Sequence, residues 1–264
     1  MTKTQKELAF LRDLYVGGEW TNRFTDLLDK NLKLSSDENL LYLNAGTGDH
    51  AFAVREKLGE DVAVFATCQD EDVLTIARDK AAAIGSDVDF SMIRFEDEAF
   101  DAVIADASLV PPLEIRDFLD DGVRVARKGG TVAIVLVTAG SFGEIFSLLW
   151  EVLFNEDLGH HGAAAERLIA DQPTVSLLED IAEAAGLENV KSKTAIEIFE
   201  FENGAEFGKS SLVQDFLLPT WLETLSEIEK EQVKEKLAQL IDAEDGPLTF
   251  RFSVKATLLT GEKA

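Results

Sequence analysis

The chain has 264 residues, and at about 150 residues per domain this allows one large domain or two small ones. With 46% apolar and 28% charged side chains it can build a sizeable core, which excludes wholesale disorder. Twenty-five Lys and Arg against fifty Asp and Glu give a net charge of −25. Such a surface repels phosphate backbones and anionic headgroups, which argues against nucleic acid and membrane surfaces as partners and leaves a neutral or cationic small molecule open.

From the N-terminus, Leu8, Leu11, Leu14 and Tyr15 share a helical face, and Phe24, Leu27, Leu28 and Leu32 repeat it. The start MTKTQKELAF has no apolar signal-peptide core. The apolar run Leu40–Leu43 reads as a buried parallel strand that ends at Asn44 and a glycine turn. A helix over Ala51–Leu58, a strand over Val62–Thr67 and a helix over Asp72–Ala83 come next, with Val88–Met92 as a third strand and Phe100–Ala105 as a fourth.

A helix follows Pro111-Pro112 and is expected to stop at Lys128-Gly129-Gly130, residues that commonly end helices. Thr131–Thr138 is the fifth strand, and its apolar stretch Val132–Val137 is far shorter than the ~20 residues of a membrane helix. Further on, Val175–Ala185 reads as a helix and Val190–Phe201 as an extended run. Residues 196–245 carry 13 acidic and 4 basic side chains, and within them Lys230–Ile241 is an amphipathic helix. The alternation of Phe250, Phe252, Val254, Ala256 and Leu258 predicts a half-exposed antiparallel edge strand. One cysteine, Cys68, allows no internal disulfide, and the whole reads as a soluble, cytoplasmic protein.

The turn Asn44-Ala45-Gly46-Thr47-Gly48 directly follows the first strand and opens a helix. Glycines there bring a ligand close to the main chain, and a helix N-terminus adds partial positive charge. The dinucleotide pattern GxGxxG is incomplete, since residue 51 is Ala, and a tight structural turn uses the same glycines. No GxSxG, HExxH, P-loop or CxxC occurs, which leaves hydrolase, zinc-peptidase, NTPase and thiol-redox chemistry without support.

The order of strand, GTG turn and helix, then the FDAV strand, VRVARKGGTVAIV, PTVSLLEDIAEAAGLENV and the final FSVKATLLTGEK resembles class I S-adenosylmethionine-dependent methyltransferases, nearest the quinone-biosynthesis-type, small-molecule branch. The resemblance covers roughly residues 15 to 263. It implies a doubly wound α/β fold: a mostly parallel seven-stranded sheet, its last strand antiparallel, with N-terminal helices and a helical insertion before that strand. The corresponding segments are a helical cap over 1–35, a Rossmann-like core over 36–203, an acidic helical insertion over 204–247 and a final strand over 248–264, all within one domain.

It also implies S-adenosylmethionine as cofactor, bordered by Asn44, Ala45, Gly46, Gly48, Cys68, Gln69, Met92 and Asp106. The sequence departs from the family where it usually has an acid before the first glycine, here Tyr42 or Asn44, and at the ribose-binding acid, here Cys68, with Asp70 two residues on. A thiol is a poor acceptor for ribose hydroxyls. The adenine-contacting acid has no counterpart among Ser91, Met92 and Ile93.

Several other side chains have two readings each. Tyr15 and Trp20 either cover the cofactor or pack on the sheet. Asp106, at a strand carboxyl end, either serves the substrate or terminates the strand. His50 faces either the pocket or solvent. His160 and His161 are adjacent, whereas helical metal pairs are spaced i, i+4, so no metal is expected and either is a loop residue or a base toward substrate. The helix Phe142–Asn155 is apolar almost all round except Glu144, Ser147 and Glu151, so it is either a core helix or one wall of an apolar pocket with Phe207–Trp221 opposite.

The function implied is methyl transfer to a small or lipophilic acceptor, with no catalytic residue assigned. The alternative is a non-catalytic binding or interaction protein of the same fold that has lost cofactor affinity, with a protein partner for the acidic C-terminal region.

Overall fold

The structure is a computed structural model that describes residues 3–34, 39–245 and 249–264. Seven strands form one sheet: β1 (Leu40–Leu43), β2 (Val64–Thr67), β3 (Asp89–Ser91), β4 (Phe100–Ala107), β5 (Ala126–Val137), β6 (Leu187–Phe201) and β7 (Phe250–Lys263). Their order is β3-β2-β1-β4-β5-β7-β6. The pairs β1–β2, β1–β4, β2–β3 and β4–β5 are parallel, and β7 runs antiparallel to β5 with Val135 opposite Leu258. The doubly wound, mostly parallel sheet expected from the sequence is therefore present.

The helices are α1 (Gln5–Leu11), α2 (Asn22–Asn31), α3 (Asp49–Arg55), α4 (Glu71–Ile84), α5 (Ile115–Val125), α6 (Gly143–Asn155), α7 (Gly162–Ala170), α8 (Val175–Ala184), α9 (Gly204–Lys209), α10 (Leu218–Trp221) and α11 (Glu227–Asp245). Between α1 and α2 the chain stays helical but widens into a π-helix over Arg12–Thr21. No described helix is long and apolar enough to cross a membrane.

The chain divides into two compact units. Unit 1 comprises Met1–Val137, Thr174–Ala195 and Ala256–Ala264, and unit 2 comprises Thr138–Pro173 and Ile196–Lys255. The segment boundaries drawn at 35/36 and 247/248 from the sequence lie outside the described residues. In unit 1, β1 and β4 are buried along their whole lengths, as short apolar strands of a parallel sheet must be. Leu119 and Val123 of α5 and Leu178 and Ala182 of α8 close one face over Val103, Val132 and Ile134.

Two expectations need correction. The Lys128-Gly129-Gly130 run does not stop α5; that helix ends at Val125, and the glycines lie inside β5. A Cβ on Gly130 would meet the carbonyl oxygens of Arg127 at 2.8 Å and Asp101 at 3.0 Å, where the β4–β5 register shifts between Phe100 and Ala102, so backbone crowding within the sheet, rather than a helix end, requires glycine there. The last strand is not at the sheet edge either. It lies between β5 and β6, and only its first half alternates, with residues 256–259 all buried.

In unit 2, α6 buries Ile145, Phe146, Leu149, Val152 and Leu153 and packs against α7 and α11. It is a core helix, and Phe207 and Trp221 are buried with it rather than forming the opposite wall of an apolar pocket. What α6 turns to a groove of ≈ 390 Å³ is mainly its polar stripe, Glu144, Ser147 and Glu151, facing Phe250 and Arg251.

Candidate functional site

The site begins where β1 ends. Asn44 takes a left-handed conformation with φ 59°, tolerable for Asn, and Gly46 and Gly48 follow at φ 58° and 95°. The turn is fixed to the end of β2: the Asn44 N–H donates to Thr67 Oγ1 at 3.0 Å and the Ala45 N–H to the Thr67 carbonyl at 2.8 Å. Gly48 is the N-cap of α3, and a Cβ there would meet Phe90 Cζ at 2.6 Å, so the position has room for glycine alone. A Cβ on Gly46 would instead point into open space, at the mouth of the turn.

Around this turn polar groups are buried together. Asn44 Nδ2 donates to the Asp106 carbonyl oxygen at 2.5 Å, which fixes the amide, while Asn44 Oδ1 is buried with no hydrogen-bond partner. The Asp106 carboxylate, buried at the end of β4, accepts from the Ser108 N–H at 2.9 Å, and burial nevertheless raises it above the ordinary aspartate range. Arg12, the first residue of the π-helical segment, has its guanidinium lowered by desolvation, against the opposing pull of Asp106 and Asp70.

A second polar chain runs inward from α2. Lys57 Nζ is 2.8 Å from Asp29 Oδ1, and the same oxygen is 3.2 Å from His50 Nε2, whose Nδ1 lies 2.9 Å from the Tyr42 hydroxyl. Burial pushes Tyr42 well above its ordinary value, with the charges of Asp106 and Asp29 adding to it, and lowers His50 despite Asp29. His50 thus faces inward.

Two adjoining cavities share Arg12, Asn44, Gln69 and Leu109 as walls. The smaller, ≈ 30 Å³, is closed between the turn, Tyr42, Asp106 and the segment carrying Arg12, Gly17 and Thr21, and it holds about one water. The larger, ≈ 780 Å³, lies in the size range of small-molecule pockets. Leu41, Leu43, Phe95, Val110 and Phe118 give it apolar walls, and Cys68, Gln69, Met92 and Ile93 border it from the ends of β2 and β3.

The structure therefore brings Asn44, Ala45, Gly46, Gly48, Gln69 and Asp106 to the first cavity and Cys68 and Met92 to the second. Cys68 stands immediately after β2, and its thiol donates to the Gly46 carbonyl at 3.4 Å. Burial, with the charge of Asp70, pushes it up to about 12, so it is neutral. Asp70 does not replace it: its carboxylate accepts from the Val73 N–H at 2.9 Å and caps α4. Trp20 is buried and donates to Ser108 Oγ at 2.9 Å, whereas Tyr15 is exposed. Arg12, Asp29 and Ser108 were not singled out in the sequence. Each lies on a helix or loop whose contact with the strand ends is tertiary, and the one local cue was a cation close to Tyr15 and Trp20 in an acidic chain.

The sheet order, its reversed β7 and a glycine turn bordered by buried polar groups at the strand ends define a class I S-adenosylmethionine-dependent methyltransferase fold. Residues 41–134, from Leu41 in β1 through most of β5 and including the whole glycine turn, match the family described as methyltransferase domain. No curated protein matches the sequence.

Among solved structures, the YcgJ protein from Bacillus subtilis is similar at 14% identity and TM-score 0.59, covering 92% of this chain and 98% of that one. Phosphoethanolamine N-methyltransferase 2 from Haemonchus contortus, solved in complex with S-adenosyl-L-methionine, is similar at 14% identity and TM-score 0.57, covering 98% of this chain and 58% of that one. The [4+2]-cyclase SpnF is similar at 18% identity and TM-score 0.51, covering 92% and 81%.

Proposed function

We propose that the protein binds S-adenosylmethionine across the two adjoining cavities and methylates a small or lipophilic acceptor by direct displacement. The observation that carries this reading is the pairing of opposite charges with an orphaned acceptor: Arg12, the buried Asp106 and the unpartnered Asn44 Oδ1 border one cavity. A zwitterionic amino-acid end suits that donor set, its carboxylate toward Arg12 and its ammonium toward Asp106 and Asn44 Oδ1. Buried polar groups without partners are costly, and a ligand that satisfies them recovers that cost. Ala45, Gly46 and Gly48 keep the turn tight, and Cys68, Gln69 and Met92 would border the nucleoside in the larger cavity.

When bound, the cofactor supplies a methyl group already activated by its sulfonium, so alignment does most of the work and few catalytic side chains are required. The apolar walls Leu41, Leu43, Phe95 and Phe118 supply a water-poor surface for a lipophilic acceptor. The smaller cavity takes no more than a water, so occupancy requires the Arg12–Thr21 segment to move outward. Its π-helical turns and the adjacent Gly17 and Gly18 favour that movement. The acidic 196–245 region, in this reading, offers a surface to a protein partner.

A second reading, a non-catalytic binding protein of this fold that has lost cofactor affinity, is favoured by the neutral Cys68 thiol at the expected ribose position. SpnF, a [4+2]-cyclase, likewise has a name other than methyltransferase. Calorimetric titration of the folded protein with S-adenosylmethionine and S-adenosylhomocysteine decides between them. Saturable heat that weakens about tenfold or more in Arg12→Gln supports the proposal. Absence of heat at millimolar ligand, with circular dichroism showing a folded chain, refutes cofactor binding.

A further inference from the structure

Within unit 2 the fold brings two adjacent histidines together with a carboxylate from far along the chain. His160 and His161 end the 3-10 turn Gly159–His161, and Glu229 lies in the first turn of α11. One ligand atom from each lies within 4.8 Å of the other two. His161 and Glu229 are half-buried, and the side chain of each is already held by a hydrogen bond. His161 Nδ1 is 3.1 Å from Thr224 Oγ1, and with the proton on Nδ1 the Nε2 lone pair is left for a ligand. Glu229 Oε2 accepts the Ser226 N–H at 2.7 Å, which leaves Oε1. Hydrogen bonds of this kind fix the tautomer and orientation of metal ligands. The exposed His160 ring lies 4.1 Å from that of His161, centroid to centroid, so two imidazoles share one side of the cluster and solvent can reach it.

We infer that His160, His161 and Glu229 bind a divalent transition-metal ion, Zn²⁺ being the best match to two imidazoles and one carboxylate, with the remaining position taken by water. Two neutral imidazoles and a carboxylate offer one negative charge to the cation, and binding displaces any protons the rings carry. A chain of net charge −25 also concentrates cations near its surface. The bound ion ties the turn before α7 to the start of α11; the His161–Thr224 contact already joins that turn to the residues just before the helix. The pair was set aside in the sequence because adjacent histidines lack helical metal spacing; the third ligand comes from 68 positions beyond His161, and only the fold supplies it.

The test is calorimetric titration of the chelator-treated, full-length protein with ZnCl₂, alongside thermal melts. The expected result is one Zn²⁺ per chain, a higher Tm with Zn²⁺, and affinity about tenfold or more weaker in both His161→Gln and Glu229→Gln. Gln at position 229 still accepts the Ser226 N–H, so that variant keeps its helix cap while losing the charged ligand. Glu227→Gln, an exposed carboxylate on the same helix outside the cluster, should bind as the parent does. No Zn²⁺ binding, or binding unchanged in both His161→Gln and Glu229→Gln, overturns the proposal.

Discussion

The two units bury different chemistry. Unit 1 places an asparagine oxygen without a partner, a carboxylate and a histidine–tyrosine pair among its interior groups, all near the ends of β1 and β4. Unit 2 fills its interior with rings: Phe252 stacks on Phe199 at 5.0 Å and 9°, and lies within 5.8 Å of Phe142 and Phe201 and 6.4 Å of Phe207, between centroids. Buried polar groups cost stability unless satisfied, whereas packed rings contribute it and ask for no ligand. The contrast is between polar groups gathered at the strand ends of unit 1 and a ring cluster at the centre of unit 2.

The largest expected effect falls on the ring cluster. Phe252→Ala removes a fully buried ring with four aromatic neighbours and should cost about 3–5 kcal/mol, read as a fall in the urea midpoint at unchanged slope. A loss below about 1 kcal/mol would mean the cluster collapses around the gap, and the contrast with unit 1 would lose its energetic basis.

In unit 1 the corresponding change is Gly48→Ala. The new methyl would sit 2.6 Å from Phe90 Cζ and 3.0 Å from Phe52 Cζ, at a φ of 95° that L residues rarely adopt. A cost of about 2–3 kcal/mol combines backbone strain with overpacking. The same variant should weaken cofactor binding in calorimetry, because the turn it distorts carries Asn44 and Gly46. Full affinity in a destabilised variant would show that Gly48 serves packing alone.

How much of this was legible in the sequence follows from the range of the interactions. β1 was read to the residue because a short apolar run bounded by a glycine turn is a local signal. The parallel order of the first five strands followed from alternation of strands and helices. Gly129-Gly130 was misread because the reasons for glycine there, a φ of 72° at Gly129 and the backbone carbonyls of Arg127 and Asp101 crowding Gly130, have no trace in local pattern. β7 was misplaced at an edge for a related cause: the alternation of its first residues was extended to residues 256–259, which the flanking strands bury. At the site, Asn44, Gly46 and Cys68 were found by position after a strand, and Tyr42 and His50 were noticed singly, but Arg12, Asp29 and the link from Tyr42 through His50 to Asp29 were not. Tyr42 and His50 meet across 8 positions and His50 and Asp29 across 21, and hydropathy carries no record of which polar residues meet.

A smaller effect sharpens the role of the ribose position. Cys68→Asp replaces a neutral thiol with a carboxylate that can accept from two hydroxyls, at the end of β2 and within the field of Arg12 and Arg78. S-adenosylmethionine should bind about tenfold more tightly, on the order of 1.4 kcal/mol. Unchanged affinity would move the nucleoside away from Cys68 and leave the larger cavity to the acceptor.

The smallest expected effect is a pH dependence carried by His50, which tests whether the polar interior of unit 1 is set by burial or by charge. An unfolded histidine titrates near about 6.5, and burial holds His50 below that in the folded chain, although Asp29 opposes the shift. Between those two values the unfolded chain binds the proton and the folded chain does not. The contribution of His50 is therefore complete above about pH 6.5, declines as pH falls through that window and levels off below the folded value. Asp29 loses its own contribution only at lower pH, since burial acts to raise it but hydrogen bonds from Lys57 and His50 bring it below the ordinary aspartate range. Urea unfolding at about pH 7.5 and about pH 5.5 should show the parent losing more stability on acidification than His50→Gln. Equal losses would remove His50 as the source. A smaller loss in the parent than in the variant would mean that Asp29 outweighs burial and holds the imidazole charged, turning the Tyr42–His50–Asp29 chain from a neutral hydrogen-bond relay into an ion pair.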